Sequence, residues 1–276
     1  MIDIGGLTGP EIALAVAAIG VTAAFVGFMA GLLGIGGGMI LVPILDKIFT
    51  SIGVPDETAI RLSVGTSLAT VVVTAIRSAR SHYKRGSFDP EVAKAWAPWI
   101  VIGASAGAVI ASVIAGASLR GVFGVVAIVL ALNMAFGKEE WRISTRLPEF
   151  LRWAIGTLVG GVAVMMGLGV GGLGVPAMTL YGIDIRRAVG TAAGLGLATS
   201  IPGALVLMYQ GLDAPGLPPF SLGYVNFVAF ALIVPITILT APLGVAANHK
   251  ISMKALRRAF AVFLALMAFR MLSGIW

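Results

Sequence analysis

The stretch Gly34-Ile35-Gly36-Gly37-Gly38-Met39-Ile40-Leu41-Val42-Pro43 returns as Gly167-Leu168-Gly169-Val170-Gly171-Gly172-Leu173-Gly174-Val175-Pro176, 133 positions further on. Each copy interrupts a hydrophobic run otherwise long enough to cross a bilayer. Glycine frees the backbone to leave a helix, and Pro43 and Pro176 lack the N–H that would continue one. A duplicated, Gly/Pro-broken hydrophobic segment points to the binding site of a secondary transporter.

Working outward, the 276 residues are 58% hydrophobic and only 11% charged. Soluble domains carry about 25% charged residues, so this composition places the chain in a membrane. No polar stretch is long enough for an appended soluble domain, and a single transmembrane transporter domain is expected over residues 1–276. The start, Met1-Ile2-Asp3-Ile4, has no positive n-region and no following cleavage pattern, so the first span is expected to be retained. The absence of cysteine excludes disulfides and thiolate chemistry. The net charge of +7 is dispersed over short loops, which reads as an orientation signal and not as a nucleic-acid patch.

The repeat extends beyond the glycines. Arg61-Leu62-Ser63-Val64-Gly65-Thr66-Ser67 matches Arg186-Arg187-Ala188-Val189-Gly190-Thr191-Ala192, and Leu119-Arg120-Gly121-Val122-Phe123 matches Leu256-Arg257-Arg258-Ala259-Phe260. Repeat 1 covers about residues 11–137 and repeat 2 about 151–276. Matched loops carry opposite charge. The loop Arg77–Lys94 holds Arg77, Arg80, Lys84, Arg85 and Lys94, whereas Gln210–Phe220 holds no basic residue. Conversely, Ala115–Arg120 carries only Arg120, whereas Asn248–Arg258 carries Lys250, Lys254, Arg257 and Arg258. By the positive-inside rule the two halves are inverted.

Inversion needs an odd number of crossings per half. The expected fold is therefore an all-α polytopic membrane protein of two inverted-topology repeats. Each has about five membrane segments, with Gly/Pro-broken helices at the repeat interface. The segments are Ile12–Leu33, Met39–Ile52, Leu62–Ser78, Val92–Ile114 and Leu119–Phe136, then Leu151–Met166, Gly171–Ile183, Arg187–Gln210, Leu222–Ala247 and Met253–Ile275. This arrangement places 15 of the 19 Lys and Arg residues on or near the cytoplasmic side and both termini outside. Met39–Ile52 and Gly171–Ile183 fall short of the ~20 residues a span needs, so eight spans with two re-entrant loops is the other reading.

Unwound backbone at Gly34, Gly36, Gly37, Gly38, Gly167, Gly169, Gly171 and Gly172 exposes N–H donors, and the half-helix that follows aims its positive end at them. An anion fits such a place without a cationic side chain; close helix packing by small residues is the other use of these glycines. Thr66, Ser67 and Thr191 offer hydroxyls near the start of the following span, for an oxyanion or for ordinary capping and back-bonding. Arg61 and Arg186 precede that motif at opposite faces and suit anion guidance or interfacial anchoring. Asn133 and Asn226, isolated within spans, suit hydrogen bonds between helices.

The 12 carboxylates, among them Glu11, Asp46, Asp184 and Asp213, fall in loops or near span ends, and none near a span centre. Cation or proton pathways usually show an intramembrane carboxylate, so anion transport fits better. No metal-ligand cluster, Ser/His/Asp set or Walker pattern appears. The chain is not expected to be an enzyme or to carry a cofactor or metal.

The duplicated glycine motif, the two Val-Gly-Thr elements and the small basic loops together resemble the sulfite exporter TauE/SafE family, from about Glu11 to Trp276. The resemblance implies transport, chiefly export, of small sulfur-containing anions such as sulfite, sulfoacetate or related organosulfonates. It implies a substrate site at the Gly34–Gly38 and Gly167–Gly172 turns with Thr66, Ser67 and Thr191. Alternating access at a midplane site in the bacterial cytoplasmic (inner) membrane, as monomer or homodimer, is the mechanism expected. A passive anion channel of the same architecture is the alternative.

Overall fold

The computed structural model describes residues 9–33, 38–136, 148–248 and 253–273. These form ten α-helices and one two-stranded hairpin. In the first half, α1 is Gly9–Leu33, α2 Gly38–Ser51, α3 Asp56–Lys84, α4 Pro90–Val113 and α5 Gly116–Phe136. In the second, α6 is Glu149–Met165, α7 Gly171–Leu180, α8 Ile185–Gln210, α9 Phe227–Asn248 and α10 Met253–Ser273. The strands β1 (Ser221–Leu222) and β2 (Val225–Asn226) pair antiparallel just before α9. The protein is an all-α membrane protein: α3, α4, α5 and α8 are each long and apolar enough to cross a bilayer.

Local chemistry explains the helix starts. Asp89 caps α4, accepting from the N–H groups of Glu91 at 3.0 Å and Val92 at 3.2 Å, and Pro90 occupies the first helical position, where its missing N–H costs nothing. Asp184 caps α8 through the Arg186 N–H at 2.9 Å. The apolar runs understate α3, which begins six residues before Leu62 and ends six after Ser78. Its polar ends stay helical outside the apolar stretch, with Asp56 and Glu57 in the first turn suited to the helix dipole.

Two expectations need correction. Leu222 does not open a span: Gly223, with φ +52°, turns the chain back between β1 and β2, and α9 starts at Phe227. Pro43 and Pro176 do not mark the breaks either. Both lie inside the short helices α2 and α7, past the first turn, and the interruptions precede them. With 14 and 10 residues, these helices are about 21 and 15 Å long.

The packing is reciprocal. If the helices of each half are counted from one to five, the first packs on the fourth of the other half: α1 on α9 and α6 on α4. The third packs on the third, α3 on α8, and the fifth on the fifth, α5 on α10. The helix α3 is the most enclosed, for every residue from Leu62 to Val71 is buried. A helix apolar and buried on all sides belongs to the centre of such an assembly. Against it lie Leu41, Leu45, Ala163, Val164, Met166 and Leu207 in one continuous core.

Candidate anion site at the two glycine breaks

Gly34, Gly36 and Gly37 lie outside the described residues; Gly38 opens α2 and lies against the second break. A Cβ at Gly38 would collide with the carbonyl oxygen of Gly167 and crowd Leu168 and Ser67. Gly167 has φ +67°, the left-handed conformation that ends a helix and favours glycine. Its N–H reaches Val164 O at 2.8 Å and the Leu168 N–H reaches Ala163 O at 2.8 Å, which closes α6. Its carbonyl accepts a hydrogen bond from Ser67 Oγ at 2.8 Å. The start of α2 therefore meets the second break beside the buried stretch of α3.

After that turn the chain passes Gly169, where a Cβ would lie 3.2 Å from Val71 of α3 and 3.6 Å from Gly196 of α8. Gly171 and Gly172 then open α7. A helix leaves its first N–H groups without intrahelical acceptors, and no side chain caps this one. The geometry thus assembles backbone donors and a helix N-terminus at the crossing of α3 and α8.

The Val-Gly-Thr elements sit well inside α3 and α8, not at helix starts, and each engages the opposite half. Thr66 Oγ1 accepts from the N–H of Asn226 at 3.0 Å, and Thr191 Oγ1 accepts from the N–H of Asp89 at 3.1 Å. Asn226 and Asp89 are themselves equivalent, since each caps the fourth helix of its half: Asn226 Oδ1 accepts from the Ala229 N–H at 2.9 Å. The glycines beside the threonines match too. A Cβ at Gly65 would strike Tyr224 O, and one at Gly190 would strike Ser87 O, each two residues before the capped position. The motif thus forms two clamps, with glycine admitting the opposing loop and threonine bonding it.

The remaining predicted residues are placed as follows. Among the described residues, Ser67 alone of the three hydroxyls touches a glycine break. Arg61 pairs with Glu57 at 3.0 Å, donates to Ile114 O at 2.8 Å and lies 5.9 Å from the Tyr224 ring centroid. Arg186 is exposed at the start of α8, where Arg187 pairs with Asp89 at 3.2 Å. Asn226 is no mid-span residue: its side chain bonds Pro219 O, Ser221 Oγ and the Ala229 N–H around the hairpin.

Asp46 is the main correction to the sequence reading. It lies within α2, fully buried, and holds Arg120 of α5 through Nε at 2.8 Å and Nη2 at 3.0 Å. Arg120 Nη2 also donates to Asp56 O at 3.1 Å, which ties the first turn of α3 to the pair. A charge pair of this kind is tolerable in an apolar interior because the guanidinium fork satisfies both carboxylate oxygens. The available signal was Asp46 inside an apolar run and Arg120 as the lone cation of its link.

The family model for the sulfite exporter TauE/SafE matches residues 19–271 of this chain. The chain belongs to the sulfite exporter TauE/SafE family. This TauE/SafE protein is 33% identical to a "Probable membrane transporter protein" of Haemophilus influenzae, over 90% of this chain and 94% of that one. It is 31% identical to a protein of the same description from Methanocaldococcus jannaschii, over 90% and 91% of the two chains. A Bacillus subtilis relative so described is 23% identical over 83% and 86%. No solved structure matches the TauE/SafE chain. It is a transmembrane transporter.

Proposed function

We propose that this transporter carries a small sulfur-containing anion, sulfite or an organosulfonate, out of the cell across the cytoplasmic membrane. The observation that carries this reading is the approach of the start of α2 to the second glycine break beside α3, where Gly38 abuts Gly167 O and Ser67 bonds it. The N–H groups from Gly169 to Gly172 face the ligand in this reading, with the positive end of α7 behind them. The first break, Gly34 to Gly38, supplies the corresponding donors ahead of α2. Ser67 holds the turn, and Arg61 and Arg186 attract anions towards the two faces.

The two halves act as inverted repeats that rock about the anion, exposing it to one side and then the other. Three features support this arrangement: the opposite charge of matched loops, the reciprocal packing of the halves, and the paired clamps of Thr66 on Asn226 and Thr191 on Asp89. The sulfur-anion substrate is extended from the family description. Both termini lie outside the cytoplasm.

The test is flux in proteoliposomes loaded with sulfite, sulfoacetate, sulfate or acetate, with and without a pH gradient. Saturable movement selective for sulfite or sulfoacetate is expected. Flux of none of them by a well-folded sample overturns the substrate, and flux that never saturates overturns the carrier mechanism in favour of a channel.

A further inference from the structure

We propose that Ser200 of α8 is a specificity-determining anion contact at the second glycine break, donating its hydroxyl to an oxygen of the transported oxyanion. This rests on the transport reading above and names a residue outside the glycine and Val-Gly-Thr motifs. Ser200 is fully buried, and its Oγ has no hydrogen-bond partner among the described residues. A serine in an apolar helix ordinarily bonds back to the carbonyl four residues earlier. Here that carbonyl, Gly196 O, receives the hydroxyl of Thr199 at 2.9 Å instead.

The neighbouring hydroxyls are engaged as well. Thr70 Oγ1 donates to Ser67 O at 2.7 Å, and Ser67 Oγ donates to Gly167 O at 2.8 Å. Ser200 is thus a buried hydroxyl left over in a region where the other hydroxyls are used, and leaving such a group unpaired is costly.

Its position points to the break. Gly196 and Gly203 stand four residues before and three after Ser200, on the same face of α8. A Cβ at Gly196 would lie 3.2 Å from Ala75 of α3, and Gly196 itself flanks Gly169. A Cβ at Gly203 would lie 3.0 Å from Leu68 of α3 and from Val164 in the last turn of α6. Ser200 therefore sits on the wall that runs from the end of α6 to Gly169. The N–H groups that open α7 follow Gly169 directly in the chain and, with this hydroxyl, make up a set of donors, while the Gly167 carbonyl is engaged by Ser67. A ligand with several acceptor oxygens, a sulfite or sulfonate group, matches such a set.

The position also distinguishes the halves. Aligning Thr66 with Thr191 sets Ala75 opposite Ser200 and Thr74 opposite Thr199. Both threonines bond back along their own helices, so the serine hydroxyl is a donor that the second half contributes alone.

The experiment compares wild type, Ser200→Ala and Thr199→Val in proteoliposomes with sulfite and sulfoacetate, together with the thermal midpoint of each in detergent. Ser200→Ala is expected to keep or raise the midpoint while raising KM for the transported anion about 10-fold or more. Thr199→Val, whose hydroxyl serves only the helix backbone, is expected to leave KM unchanged. An unchanged KM in Ser200→Ala, or a lowered midpoint in that variant, overturns the contact and leaves the transport reading standing. Wild-type protein that moves neither anion overturns the transport reading and the contact with it.

Discussion

Separating Asp46 from Arg120 is the sharpest perturbation the structure offers. Arg120→Met removes the bonds to Asp46 at 2.8 and 3.0 Å and the bond to Asp56 O at 3.1 Å. It strands a fully buried carboxylate in α2. Removing one partner of a buried pair typically costs about 3–5 kcal/mol, because the survivor is desolvated without compensation. Among the charges that remain, Asp56 repels Asp46 more than Arg270 attracts it, so the loss is expected towards the upper end, about 5 kcal/mol. Asp46→Leu is expected to cost somewhat less, since Arg120 keeps Asp56 O and is 11% exposed at its side chain.

The double variant Asp46→Leu/Arg120→Met replaces the pair with apolar groups of similar size and is expected within about 1 kcal/mol of wild type. The assay is equilibrium unfolding in mixed micelles, followed through the five tryptophans. A double variant as unstable as the worse single one would refute the reasoning, because the loss would then come from packing and not from an unpaired charge. Singles that cost less than about 1 kcal/mol would also refute it, by placing the pair in the regime of solvent-screened ion pairs.

Four further outcomes follow from the same geometry. Thr66→Val and Thr191→Val each leave a loop N–H, of Asn226 or Asp89, without its acceptor, and each is expected to cost about 1–3 kcal/mol in the unfolding assay. Thr→Ser at the same sites should restore most of the loss. Gly65→Ala and Gly190→Ala drive a methyl into Tyr224 O and Ser87 O, so both are expected to lower stability by about 2 kcal/mol or more and to act alike in hydrogen exchange of the contacted loops. Gly169→Leu, filling the space beside Val71 and Gly196, is expected to abolish anion flux while membrane insertion, checked by fractionation, is retained. Ser200→Ala weakens anion affinity without loss of stability, as tested above.

Most helices were legible because an apolar run in lipid has to be a helix: no water is present to satisfy a free backbone. The segments read from composition differ from the helices mainly at their ends. The exceptions are instructive. The start of α9 was misread because Leu222-Gly223-Tyr224-Val225 is apolar enough to look membranous, while the positive φ of Gly223 makes it a hairpin. The prolines looked like breaks, yet a helix survives the loss of one hydrogen bond near its first turn. Asp46 was read as a residue near a span end because its partner lies 74 positions away.

The sequence by itself determined that this is a polytopic helical membrane protein, and that a glycine motif and a Val-Gly-Thr element recur in the same order in its two halves. These are properties of composition and of order along the chain, and they need no knowledge of what touches what. Only the tertiary structure decided that the second break rests against Gly38 under the hold of Ser67, and that Thr66 and Thr191 clamp the opposite half. It alone paired Asp46 with Arg120 and left the Ser200 hydroxyl unspent. A hydroxyl, a carboxylate or a glycine carries no mark of its partner, because the partner is chosen by helix crossings between residues remote in sequence.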